Sequence, residues 1–175
     1  MALSKIDAAN FLTGTIPQGN VANASLGAVT ALPGAIATGK VLQIVQASYS
    51  TVTDTSSSSY TDIVTGSITP SSTSNKILFI AHANGLLSST NTAFGRVRVS
   101  HSSGTTIVAG AAPHGSNSTV GVGSASISYL DTPSSTSAVT YKIQFSCPYT
   151  PGGSVRINDG SSLSTITLME IAGWL

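Results

Sequence analysis

From residue 40 onward, apolar side chains recur at every second position in short runs, and each run is cut off by Ser, Gly, Pro and Asn. Alternation of period two places one face of an extended chain against a core and the other in water, and turn residues end such a run before it can become a helix. The runs fall at 41–47, 60–68, 76–83, 93–100, 105–109, 120–130, 138–147, 154–157 and 163–171. Nine short strands with this spacing predict an all-β fold, an antiparallel β-sandwich of the jelly-roll kind, and exclude a parallel sheet fed by crossover helices. The pair Asp159-Gly160 lies between two alternating runs and predicts a tight hairpin.

Two kinds of strand are present. Arg96-Val97-Arg98-Val99 alternates charge with valine, so one side is wet and the other packs inward. The run Ile77-Leu78-Phe79-Ile80-Ala81 is apolar at every position, and 41–45 and 166–171 are nearly so. An antiparallel strand apolar on both faces needs a second cover beyond the opposing sheet. A neighbouring subunit would supply it, with Ile77 and Phe79 in the interface, and the alternative cover is the chain's own N-terminal arm.

Ahead of the β region are two different stretches. Residues 1–12 begin with a weak capping pattern, Ser4-Lys5-Ile6-Asp7, and carry Leu3, Ile6, Phe11 and Leu12 as apolar groups. Two helical turns are not stable alone, so this stretch reads as a docking peptide that folds on a partner. Between Asp7 and Lys40 there is no charged residue. Ile16, Val21, Leu26, Val29, Leu32 and Ile36 recur there every three to five residues among Gly, Ala, Asn, Ser and Pro. One such strand cannot bury its aliphatics, whereas several copies wound about an axis can, which makes 13–39 an extended oligomeric stalk. An arm lying along the chain's own globular domain is the other reading. The domain expectation is therefore 1–12, 13–39 and 40–175.

Charge narrows the function. Only 7% of residues are charged, against about 25% in an average domain, and the net charge is +1. There is no basic field to hold phosphates, so nucleic-acid binding is not expected. No run of about 18 apolar residues exists to insert in a membrane, and no apolar stretch near the start is long enough for a secretory signal. A surface kept soluble by hydroxyls has little charge to hold copies apart. The single cysteine, Cys147, lies on the apolar side of an alternating run and reads as a small core residue.

Chemistry is sparse. No phosphate-binding loop, nucleophile elbow or zinc-protease motif occurs, and the six acids are scattered singly. Only Asp131 and Asp159, both in or beside turns, suggest a carboxylate pair at all. His82, His101 and His114 match no local ligand spacing. No enzyme activity, cofactor or metal is expected. Glu170 shares a face with Ile166 and Leu168 and is expected to be partly buried, with Arg96, Arg98 or Lys142 as partner. Binding on such a scaffold sits in loops. Pro113, His114 and Asn117 in the longest loop, and Tyr149 beside Pro151 in a second, carry groups that stack on and hydrogen-bond to sugars.

Several passages resemble a known family. Leu12-Thr13-Gly14-Thr15-Ile16-Pro17 followed by Asn23-Ala24-Ser25-Leu26 resembles stalk segments of bacteriophage fibre proteins, above all those of marine and cyanobacterial phages. Ile68-Thr69-Pro70-Ser71-Ser72-Thr73-Ser74-Asn75-Lys76-Ile77-Leu78 resembles the early strand-turn-strand of their C-terminal β-sandwich, and Ile166-Thr167-Leu168-Met169-Glu170-Ile171-Ala172-Gly173 resembles its last strand. The resemblance implies a homotrimeric virion fibre or knob, assembled in the host cytoplasm, bound to other virion proteins through its N-terminus and contacting the host surface, with glycans as candidate receptors. In the trimer Ile16, Val21 and Leu26 would join Ile77 and Phe79 as interface residues. A capsid decoration protein that reinforces the shell, a free carbohydrate-binding module and a depolymerase are the alternatives.

Overall fold

The structure is a computed structural model that describes residues 40–89, 93–111, 122–149 and 153–173. The readings placed on residues 1–39, Pro113, His114 and Asn117 lie outside those residues. Alternating β-branched and aromatic residues give ten strands: β1 (Val41–Tyr49), β2 (Thr53–Thr55), β3 (Thr61–Ile68), β4 (Lys76–Ser88), β5 (Phe94–His101), β6 (Thr106–Ala111), β7 (Val122–Asp131), β8 (Val139–Tyr149), β9 (Val155–Ile157) and β10 (Ser164–Ile171).

Pairing is antiparallel and nested. β1 pairs with β10, β3 with β8, β4 with β7 and β5 with β6. β10 then joins β4, and β8 joins β5. The result is one sheet in the order β1-β10-β4-β7, with β9 and β2 added beyond the end of β10, and a second in the order β3-β8-β5-β6. This nesting is the strand order of a jelly roll. The all-β antiparallel expectation holds.

The two inner faces share one core. Ile77, Phe79, Ile166 and Leu168 come from the first sheet; Val97, Val99, Tyr141, Ile143 and Phe145 come from the second, and all are buried. Cys147 is buried with them, as its alternation predicts. A side chain at Gly66 on β3 would come within 3.1 Å of Ile166 Cγ2 and 3.3 Å of Leu168 Cδ1, so its absence lets the sheets close at this point.

Register separates the two ends of the sandwich. At one end Val41 meets Ile171, Ile171 meets Lys76, Ile77 meets Asp131 and Ile68 meets Val139. At the other Tyr49 meets Ser164, Leu87 meets both Val122 and Arg156, and Phe94 meets Tyr149. Lys40 therefore leads in at the first end, while the strand ends that flank residues 90–92, 112–121 and 150–152 all lie at the second.

Three expectations need correction. Ile77 and Phe79, assigned to a subunit interface, have 0% exposure within their own chain. The parity of β4 aims them at the core, and Leu78 and Ile80 take the outer side. The Asp159-Gly160 hairpin does not form either. β4 pairs with β7 along one edge, so β10 and β9 both occupy the other edge, one after the other in the same direction. Their connection turns through a 3₁₀ segment, with φ of 60° at Asn158, 63° at Gly160 and 59° at Ser161. Finally, β2 is an extra strand without apolar alternation, held by pairing to β9.

Candidate functional site

The outer faces of the two sheets differ in kind. Cross-strand partners share a face, so the registers Ile44 to Met169, Met169 to Leu78 and Leu78 to Leu130 line up four apolar side chains across β1, β10, β4 and β7. Val41 and Ile171 flank this row on one side and Ile80 on the other. Ile44 is 61% exposed, and Val41, Ile80 and Leu130 are between 43% and 49% exposed. Beyond Ile80 the face turns to short polar groups, with the His82 ring nitrogen Nδ1 2.7 Å from Ser126 Oγ. In β4 every position from Ile77 to Ala81 is apolar, so parity cannot tell its two halves apart, but the adjacent apolar pair Tyr129-Leu130 at the end of β7 is a usable sign of an apolar outer side.

The outer face of β3-β8-β5-β6 is instead a polar network. Lys142 Nζ donates to Asp62 at 2.6 Å, and Gln144 donates to the same carboxylate. Gln144 Oε1 accepts from Arg98 Nε at 2.7 Å and from Ser100 Oγ at 2.8 Å. Arg98 also donates to Thr106 Oγ1 at 2.7 Å and lies 3.8 Å from the centre of the Tyr60 ring. Partial burial pushes the Asp62 carboxyl up, but the bonds from Lys142 and Gln144 outweigh it and hold the group below its ordinary value. This face satisfies itself; the apolar one does not.

At the end where Lys40 leads in, Glu170 is 1% exposed and paired without a cation. Its carboxylate accepts from Gln43 Nε2 at 2.6 Å, Ser71 N at 2.6 Å, Ser71 Oγ at 2.8 Å and Asn75 Nδ2 at 2.5 Å. Asn75 Oδ1 in turn accepts from Gly173 N at 2.9 Å. The expected partners are elsewhere: Arg98 and Lys142 belong to the polar face, and Arg96 lies by the Phe94 ring. Burial pushes the Glu170 carboxyl up, and the bonds from Asn75, Gln43 and Ser71 more than reverse this, leaving it below the ordinary carboxylate range. Residues 68–78 and 166–173 meet at this clasp, which closes the sandwich at this end.

The carboxylates considered for catalysis are far apart and occupied. Asp131 pairs with Ile77 while the Asp159 backbone lies against Gly85, a separation along β4 of roughly 25 Å at about 3.3 Å per residue. Asp159 joins Asp54 on the Arg156 guanidinium. Asp131 accepts from Tyr141 Oη at 2.8 Å, with His101 Nε2 at 3.5 Å. Burial and then this carboxylate push the Tyr141 phenol well above its ordinary value. Tyr141→Phe is expected to cost about 1–2 kcal/mol in urea unfolding, and an unchanged midpoint would mean that this bond contributes nothing. His82 and His101 sit on opposite sides of the first sheet's plane, and among the described residues no three His, Cys, Asp or Glu side chains cluster to hold a metal. Tyr149 ends β8 opposite Phe94, at the same end of the sandwich as the strand ends that flank 112–121. Topology thus brings the flanks of both candidate loops together, at the end opposite Lys40.

Fold and surfaces together define a jelly-roll domain with one self-satisfied polar face and one exposed apolar face. No family model and no curated protein matches the chain. Among solved structures it is similar to a chain of the infectious bursal disease virus T13 particle, at 11% identity and a TM-score of 0.39, over 77% of this chain and 37% of that one. It is similar to the VP2 subviral particle of the same virus, at 13% and 0.36 over 75% and 38%. The enzymatically active domain of bacteriophage CBA120 tailspike protein 4 is matched at 13% and 0.29, over 75% and 20%. The chain spans less than two fifths of the length of each, and at these scores the likeness adds nothing to the strand order described above.

Proposed function

We propose that the chain is a non-enzymatic virion structural protein: a short trimeric fibre or knob, held to the particle through residues 1–12, whose jelly-roll head contacts the host surface. The observation that carries this reading is polarity along the sandwich. Lys40, which continues from the N-terminal segment, is at one end, and the flanks of the 112–121 and 150–152 loops are at the other, about 30 Å away for strands of nine residues. A head tethered at the first end presents the second outward. The fold alone does not decide function, since jelly rolls serve capsids, lectins and enzymes alike. The fibre-like passages favour the virion, and engagement of Asp131 and Asp159 by other side chains weighs against a depolymerase. Contact with host glycans through Pro113, His114, Asn117 and Tyr149 would be weak at each site and multiplied by three copies.

Competition tests this. Purified full chain added to host cells is expected to slow adsorption of the particles that carry it. The double variant His114→Ala with Asn117→Ala should need at least tenfold more protein for the same effect. Wild-type protein that leaves adsorption unchanged would contradict host contact, and decoration of the shell would then be the better account.

A further inference from the structure

Resting on the trimeric reading above, we infer that the outer face of β1-β10-β4-β7 is the surface through which copies of this chain meet, with the row Ile44, Met169, Leu78 and Leu130 at the centre of the contact. Three observations favour a second copy as the occupant. The first is charge. Among the described residues on or beside this face only Lys76 and Lys40, both at its rim, are charged, so its centre offers nothing to an acidic or basic partner. A neutral apolar surface is best complemented by another like it, and a chain with net charge +1 does not repel itself.

The second is position. The described chain begins at Lys40, whose carbonyl oxygen accepts from Ala172 N at 2.9 Å, immediately before Val41 at the corner of the face. Heads joined through this face have their Lys40 residues at one end of the assembly, on the joined side. That is where a shared stalk built from residues 13–39, uncharged throughout, has to leave.

The third is size. Four strands about 4.8 Å apart and three outward rows about 7 Å apart, from Val41 to Ile80, make a face of roughly 400 Å². A standard contact takes about 800 Å² from each partner. The face is thus the apolar centre of an interface that the stalk would complete. The edge strand β1 fits the same picture. It has nine residues and no charge, whereas exposed edges are usually guarded by Lys, Pro or an inward charge.

The test is the mass of the full chain and of three variants by light scattering at micromolar concentration. Ile44→Lys and Leu130→Glu place charges on the face at two strands. Thr65→Lys places the same charge on the outer side of the other sheet, as a control. The mass of three chains is expected for wild type and Thr65→Lys, and the mass of one for Ile44→Lys and Leu130→Glu, an association at least a hundredfold weaker. Both altered positions are exposed, and unchanged circular dichroism melts will show that the variants fold. Trimers in both face variants would overturn this inference while leaving the trimeric reading intact on residues 13–39. A wild-type chain of single mass would overturn that reading, and this inference with it, and would point to the chain's own N-terminal segment as the cover.

Discussion

Replacing Glu170 with alanine is expected to lower the unfolding free energy by about 3–5 kcal/mol, among the largest effects available to a single substitution. The carboxylate collects four hydrogen bonds from β1, from the turn that follows β3 and from Asn75 just before β4. Removing it strands donors inside the protein at about 1–3 kcal/mol each, and only Gln43 and Ser71 are near enough to water to recover part of that. Glu170→Gln keeps the volume but turns an acceptor into a donor facing other donors, so about 2 kcal/mol or more should still be lost. The wild-type effect depends on pH in a defined sense. The folded carboxyl titrates below its ordinary value of 4.5, so the unfolded chain binds the proton more readily. Stability from this group is complete above about pH 4.5 and is lost as pH falls through the folded value. Urea midpoints measured from pH 6 down to pH 3 should fall more steeply for wild type than for Glu170→Gln. Parallel slopes would mean that folding does not shift the titration of the Glu170 carboxyl.

Gly85→Ala should cost about 3 kcal/mol or more. Gly85 has φ of +59°, which costs an L side chain about 1–2 kcal/mol, and a Cβ there would lie 2.6 Å from Asp159 N and 2.9 Å from Asp159 O. Both obstacles are backbone atoms of the connection between β9 and β10, so neither can rotate away. The position matters because β4 bulges between Ala83 and Leu86, beyond the stretch paired with β10, and then continues to β9. Asn158 anchors the same crossing, donating through its backbone N–H to Asn84 O at 2.9 Å and accepting from Ser164 Oγ at 2.6 Å. Gly160→Ala is the internal control: φ is +63° there, but nothing lies within 4 Å of the added carbon. Thermal unfolding should show Gly160→Ala losing only the conformational part and Gly85→Ala clearly more. Equal losses would mean that the crossing is not tight.

Period-two alternation reveals most strands because burial on one face writes itself into every second residue. Where alternation is absent, the information is tertiary. Thr53-Asp54-Thr55 carries no apolar residue, and β2 exists only because β9 pairs with it. In Ile77-Leu78-Phe79-Ile80-Ala81 every position is apolar, so nothing local says which half faces in, and register with β10 and β7 decides it. With that parity undecided, Ile77 and Phe79 are as plausible in an interface as Leu78 and Ile80, which hold the outer side. Asp159-Gly160 has sound turn chemistry, yet the length of β4 places β9 and β10 end to end along one edge. Glu170 is visible as an acid on an inward parity. Its neutral donors are not, because Ser71 and Gln43 are 99 and 127 residues away in sequence. Arg98 and Lys142, the cations its charge suggests as partners, serve the polar face instead.

A reconstruction of the full chain in solution by electron cryomicroscopy tests the central claim most directly. Three heads around one axis are expected, with the Ile44, Leu78 and Leu130 faces turned toward the axis and Lys40 at the end opposite the strand ends that flank residues 112–121. Heads that meet instead through the Arg98, Gln144 and Lys142 face, or that stand as single chains, would contradict it.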